Sequence, residues 1–222
     1  MNLLRFQYRH FPKGGISILL MLLACVLTLT ANAQQSGTEI IFYAQSQTGD
    51  ELWHALFQSL RADLAAGAGE ANNVVLDQKP TLFLRRDFVP GTSFDSILQV
   101  ELRGRCDFVP QKYHTFPDGP LGWVPITSGH IQPFISIDCT RLAQLLERAA
   151  FGLNKEERRH VMAQAIARVL IHEWIHIETQ RSSHDTQGIM KASISAEELM
   201  ADPRDKLSQR QNSHRPAVDS RN

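Results

Sequence analysis

The segment that runs from Asn154 into His176 constrains this chain more than any other. Asn154 and Glu157 form a capping-box pattern, in which a side-chain oxygen and a carboxylate three residues on satisfy amides that a helix start leaves unpaired. Val161, Ala165, Val169 and Ile171 then carry a helical apolar pattern into His172-Glu173-Trp174-Ile175-His176. On a helix, positions i and i+4 share one face about a turn apart. The spacing therefore predicts that the imidazoles of His172 and His176 can reach a single Zn2+ ion, with Glu173 placed to take a proton from a water at that ion. A chain of this composition would contain such an H-E-x-x-H by chance with a probability of roughly 2%.

A catalytic zinc site needs three protein ligands and an open position. His184, eight residues after His176 and beyond the expected helix end, is the preferred third ligand. Its rival is Glu197, 21 residues after His176 in the stretch Ser195–Asp202. A surface helix with Ser195 as N-cap and Glu197 and Glu198 in its first turn accounts for that acid without a metal. Glu178 is too close to His176 on the same helix to face the ion, and is expected outside the ligand set.

The segment His184-Asp185-Thr186-Gln187-Gly188-Ile189-Met190 resembles the histidine and methionine turn of metzincins. With the H-E-x-x-H, the chain is similar to zinc metallopeptidases of the zincin type. It resembles in particular small secreted bacterial proteins that pair the motif with a later histidine and a Gly-Ile-Met turn. The match covers roughly residues 134–190. The resemblance implies an α+β fold, with a twisted mixed sheet packed on the long motif helix and two other helices. It also implies zinc bound by His172, His176 and His184, Glu173 as general base, and Met190 as a hydrophobic floor beneath the metal. The stretch Gly129–Asp138 would provide an edge strand on which an extended peptide or protein substrate could pair. The chain departs from metzincins in having Thr179 where their turn glycine stands, a spacer to the third histidine two residues longer, and Trp174 and Ile175 inside the motif. A non-catalytic exported domain, in which zinc only stabilises the fold, is the alternative reading of the same residues.

The remaining chain reads as one domain over residues 34–202, preceded by an address. Arg5, Arg9 and Lys13 come before an uncharged apolar stretch, Gly15–Thr30, and the small-x-small sequence Ala31-Asn32-Ala33. That order predicts a secretory signal over residues 1–33, too short in its apolar part to span a bilayer. Leu22-Leu23-Ala24-Cys25 resembles a lipoprotein processing site only weakly, so a secreted or periplasmic protein is preferred to a lipid-tethered one. Without the signal two cysteines remain, Cys106 and Cys139, and in an oxidising compartment such a pair is expected to form a disulfide.

Strands are expected at Glu39–Ala44, Val74–Leu76, Thr81–Phe88, Ile97–Arg103 and Phe134–Ile137, and helices at Asp50–Ala66 and from Asp138 or Thr140 to about Ala150. Pro110–Pro133 holds five of the ten prolines and should be loop, with at most an edge strand near Gly122–Ile126. Residues 203–222 turn polar and are expected to be a solvated tail. The whole chain balances 23 basic against 23 acidic side chains, and losing the three cations of the signal leaves a mildly acidic body. That charge gives no reason to expect nucleic acid as a partner, and no segment after the signal can cross a membrane. His54 and His160 are expected to be surface or half-buried residues, and His130, like His114, to be solvated in its loop, with a substrate-side role as the alternative. His114 and Tyr113 lie in the proline-rich loop, and Trp53 and Trp123 are expected to pack in the core or at its rim.

Overall fold

Alternating side chains set the central sheet. In the computed structural model, which describes residues 37–71, 74–87, 96–108 and 119–201, the first strand is β1 (Thr38–Ala44). After it come helix α1 (Asp50–Ala65), a small hairpin of β2 (Glu70–Ala71) and β3 (Val74–Val75), and β4 (Thr81–Leu84). Next are β5 (Ser96–Arg103), β6 (Gly122–Trp123), a second small hairpin of β7 (Ile126–Thr127) and β8 (His130–Ile131), and β9 (Phe134–Asp138). Helices α2 (Cys139–Leu146), α3 (Lys155–Thr179) and α4 (Ala196–Met200) complete the described chain. The α+β class therefore holds, with three helices rather than two beside the long one. The signal segment with Cys25, Tyr113, His114 and the tail 203–222 lie outside the described residues.

Five strands form one mixed sheet in the order β4-β1-β5-β9-β6. β4, β1, β5 and β9 run parallel, and β6 pairs antiparallel with β9. Register follows the period-two pattern: Ile40 lies beside Leu98, Phe42 beside Val100, and Val100 beside Ile135. This row of side chains is fully or almost fully buried and faces one hydrophobic core shared with α1 and α3. On α1, Leu52, Leu56, Leu60 and Leu64 recur every fourth residue and are all buried there. Each fully buried leucine contributes about 1.5–3 kcal/mol relative to an exposed one.

α3 is buried on every side from Val161 to His176. Sheet, α1, α2 and α4 all touch it, which explains how a helix with so weak an apolar stripe is stable. Its start is capped as the sequence predicts. The Asn154 side chain accepts from the amides of Glu156 and Glu157 at 2.9 and 3.0 Å, and Glu157 accepts from the Asn154 amide at 2.8 Å. Arg168, also buried, donates to the backbone carbonyls of Glu198 and Ala201 and pairs with Asp63 of α1 at 3.5 Å. One guanidinium thus fastens the end of α4 to both long helices.

Several boundaries move by a few residues. Thr81–Leu84 passes into a short 3-10 turn, Arg85–Asp87, and Phe88 is outside the described residues. The helix expected to reach Ala150 is regular only to Leu146, capped at its start by Asp138, which accepts from the Arg141 amide. Cys106 and Cys139 are bonded at 2.07 Å, tying the end of β5 to the first residue of α2.

The expected edge strand over Gly129–Asp138 is corrected. Phe134–Asp138 is an inner strand, paired along its length with β5 and, at Ser136 and Ile137, with β6 on its other side. The edge is Gly122–Trp123. Pro120 and Pro125 bracket it, and a proline lacks the N–H a ladder needs, so this strand stays two residues long.

Candidate metal centre

His172 and His176 project from the buried C-terminal half of α3, at 7% and 4% exposure. The Nδ1 of His172 lies 2.7 Å from the carbonyl oxygen of Ile189, and that of His176 lies 2.5 Å from the carbonyl oxygen of Arg181. A carbonyl can only accept, so each Nδ1 carries the hydrogen and donates it. Both Nε2 atoms are then left as lone pairs, and they face each other at 3.1 Å. Two zinc-bound nitrogens at about 2.0–2.1 Å in a tetrahedron would be roughly 3.3 Å apart, so the pair is set at the separation one ion would impose.

His184 closes the group. Its ring centroid stands 5.2 Å from that of His172, nearly parallel to it, and 4.9 Å from that of His176. One ligand atom from each of the three histidines lies within 4.8 Å of the others. Unlike the other two, His184 is exposed, so the cluster has a solvent-facing side. These three residues, an all-imidazole donor set borne on one helix and the loop after it, could hold a metal ion.

The loop reaches the helix through a turn the sequence motif only hints at. The Asp185 amide donates to the Met190 carbonyl at 2.8 Å, closing a tight loop in which Gly188 has φ 74°. A Cβ on Gly188 would meet nothing, so the glycine serves backbone conformation alone. Closure presents the adjacent Ile189 carbonyl to His172, while Met190 itself is buried in the core.

Glu173 is buried at 7% exposure beside the first histidine. Desolvation raises its carboxyl to about 7, so the group can give up or take a proton near neutrality. Burial likewise lowers His172 to about 4, against the hydrogen bond to Ile189, and lowers His176. Burial thus favours the neutral ring in both, the form a metal ligand needs. The edge strand passes directly over this turn of α3. A Cβ on Gly122 would sit 2.5 Å from Val169 Cγ1 and 3.1 Å from Glu173 Oε1, a space only glycine leaves free.

The rival acid stands apart. Glu197 is exposed in the first turn of α4, its carboxyl lowered by hydrogen bonds at the helix start, and among the described residues the metal-competent group contains no carboxylate. Ser195 is the N-cap expected there, and with Glu198 it forms a full capping box. Glu178 accepts from the Trp174 indole at 2.9 Å. Thr179 does not turn the chain: its hydroxyl donates to the Ile175 carbonyl, and the left-handed residue is Gln180, with φ 52°. His54, His130 and His160 are exposed, Trp53 is buried, and Trp123 lies under the Arg103 guanidinium. Sequence reasoning missed Gln180, the close approach of Gly122 to Glu173, and the carbonyls of Ile189 and Arg181. The carbonyls carry no side-chain signal at all, and Gly122 could have been noticed only as a glycine inside a proline-bracketed strand.

No protein-family model, curated protein or solved structure matches the chain. No described helix is long and apolar enough to cross a membrane.

Proposed function

We propose that this protein is an exported zinc-dependent metallopeptidase of the zincin type, hydrolysing peptide bonds in a peptide or protein substrate. The observation that carries the reading is the 3.1 Å approach of two Nε2 lone pairs, each fixed by a carbonyl behind its ring, with a third imidazole beside them. Zinc is the assignment because a neutral three-histidine set suits that ion, which when bound supplies Lewis acidity and a water of pKa near ~7.

The chain's own residues supply the rest. His172 and His176 are held by their carbonyl partners in one tautomer, so binding need not reorient them. His184 completes the donor set from the exposed side, which supports an open position for substrate over a sealed structural site. Glu173, buried one residue after the first ligand, takes the proton from the attacking water and returns it to the leaving amine. Gly122 brings the outer edge of the sheet against Glu173, where an extended substrate could lie. The Cys106–Cys139 disulfide supports an oxidising compartment.

The test is metal analysis and peptide hydrolysis on protein purified without a histidine tag. The wild type should hold one zinc per chain and cleave an unfolded protein. Glu173→Gln should keep the zinc and lose activity by at least the ~100-fold that a positioned proton-transfer group contributes. A Glu173→Gln protein that still cleaves would reject the mechanism; a zinc-loaded wild type with four protein ligands and no turnover would favour the non-catalytic alternative.

A further inference from the structure

The C-terminus of α3 does something its sequence does not require. Its capping residue is Gln180, at φ 52° and ψ 30°, in the left-handed region that residues other than glycine, asparagine and aspartate seldom occupy. A glycine would meet that conformation with less strain. What the glutamine adds is its amide. Oε1 accepts from the Ile131 amide at 3.0 Å, and Nε2 donates to the Ile131 carbonyl at 3.1 Å and to the Ile177 carbonyl at 2.7 Å. The side chain therefore stands where a neighbouring strand would stand, satisfying both polar groups of a backbone position on β8 whose residue is 6% exposed. Immediately after it, the Arg181 carbonyl takes the Nδ1 hydrogen of His176.

From this continuous run of bonds we infer that Gln180 is a positioning residue of the metal centre. Its amide anchors the helix end to the β7–β8 hairpin. That anchor holds the left-handed turn, and the turn keeps the Arg181 carbonyl behind His176 and sends the chain back to His184. Gln180 touches no metal and no substrate; it acts through His176. The inference rests on the metal reading above, and adds to it that the hairpin Ile126–Ile131 and the ligand set are mechanically one unit.

The test uses the full chain with Gln180→Gly and Gln180→Asn. Both replacements accept the left-handed turn, and neither can reach Ile131 and Ile177 together. Zinc affinity measured by chelator competition should fall roughly tenfold to a hundredfold in each, the cost usual for losing a group that orients a ligand histidine. The metal-free variants should keep the wild-type helical circular dichroism, and their cobalt-loaded forms should show shifted visible absorption as the His176 ring loses its fixed orientation. Wild-type affinity and spectrum in both variants would overturn the inference, as would zinc loss that only tracks unfolding of the metal-free protein. A wild type that binds zinc beside variants that bind it equally well sinks this inference alone. A wild type that takes up no zinc sinks the metal reading and the inference with it.

Discussion

At the scale of single residues, His172 and Glu173 are adjacent and buried, and water leaves them in opposite senses. Burial disfavours charge on both, so the imidazole falls to about 4 while the carboxyl rises to about 7. The consequences for metal-free protein oppose each other. Between about pH 4 and 6.5 the unfolded chain binds more protons at His172 than the native one, so that group makes stability rise with pH. Between about 4.5 and 7 the native state holds the Glu173 proton that the unfolded chain has released, so that group makes stability fall with pH. The two offset across most of this range. Denaturant unfolding of chelator-treated protein should therefore change little between pH 4.5 and 6.5 on account of this pair, whereas Glu173→Gln should gain stability steadily over the same range. A Glu173→Gln profile parallel to wild type would contradict the burial argument. The pairing of His172 with His176 was legible from spacing alone, because helical geometry places i and i+4 together whatever surrounds them. Their rotamers and tautomers were not, since those depend on carbonyls of residues 181 and 189.

At the scale of elements, α3 owes its place to contacts on all sides, and Arg168 is the polar member of that burial. Its charge is paired with Asp63 and shared with the carbonyls that end α4. Arg168→Ala should lower stability by about 3–5 kcal/mol in urea unfolding, because a buried carboxylate loses its opposite charge and the Glu198 carbonyl loses the guanidinium in a dry site. It should also loosen the loop from Met190 to Ala201. A loss of less than about 1 kcal/mol would place the pair in solvent-like surroundings. Element types were readable wherever a period was strong: the fourth-residue leucines of α1, the alternation of β5, the capping box at Asn154 and the N-cap at Ser195 all stand where the pattern puts them. The edge strand near Gly122–Ile126 was read from its prolines, whereas the one that the resemblance implied over Gly129–Asp138 was misplaced, because a short apolar run gives no sign of which neighbours it has. Phe134–Ile137 reads the same at an edge or inside a sheet, and the pairing with Gly122–Trp123 is a long-range event.

At the scale of the molecule, one covalent link closes the loop that carries the proline-rich chain to the edge strand. Cys106 and Cys139 lie 33 residues apart, and Cys139 is fully buried at the start of α2. Reduction, or a Cys106→Ser and Cys139→Ser double variant, should cost about 3 kcal/mol by the chain-entropy estimate. Because that loop carries both the sheet edge over Glu173 and the β7–β8 hairpin held by Gln180, zinc affinity should fall together with stability. Calorimetry and chelator competition on the same samples check both, and an unchanged unfolding midpoint would show that the loop is constrained without the bond.

The amino-acid sequence by itself determined the two long helices, the alternating strands, the cysteine pairing and the two imidazoles a turn apart, since each follows from spacing between residues near in the chain or from the chemistry of a residue type. Tertiary structure alone brought the ring of His184 beside the other two, put Gly122–Trp123 against Phe134–Asp138, and set Gln180 and two backbone carbonyls behind the histidines. Those choices turn on which distant segments come within hydrogen-bonding reach. That is fixed when the sheet closes over α3, and no local pattern encodes it.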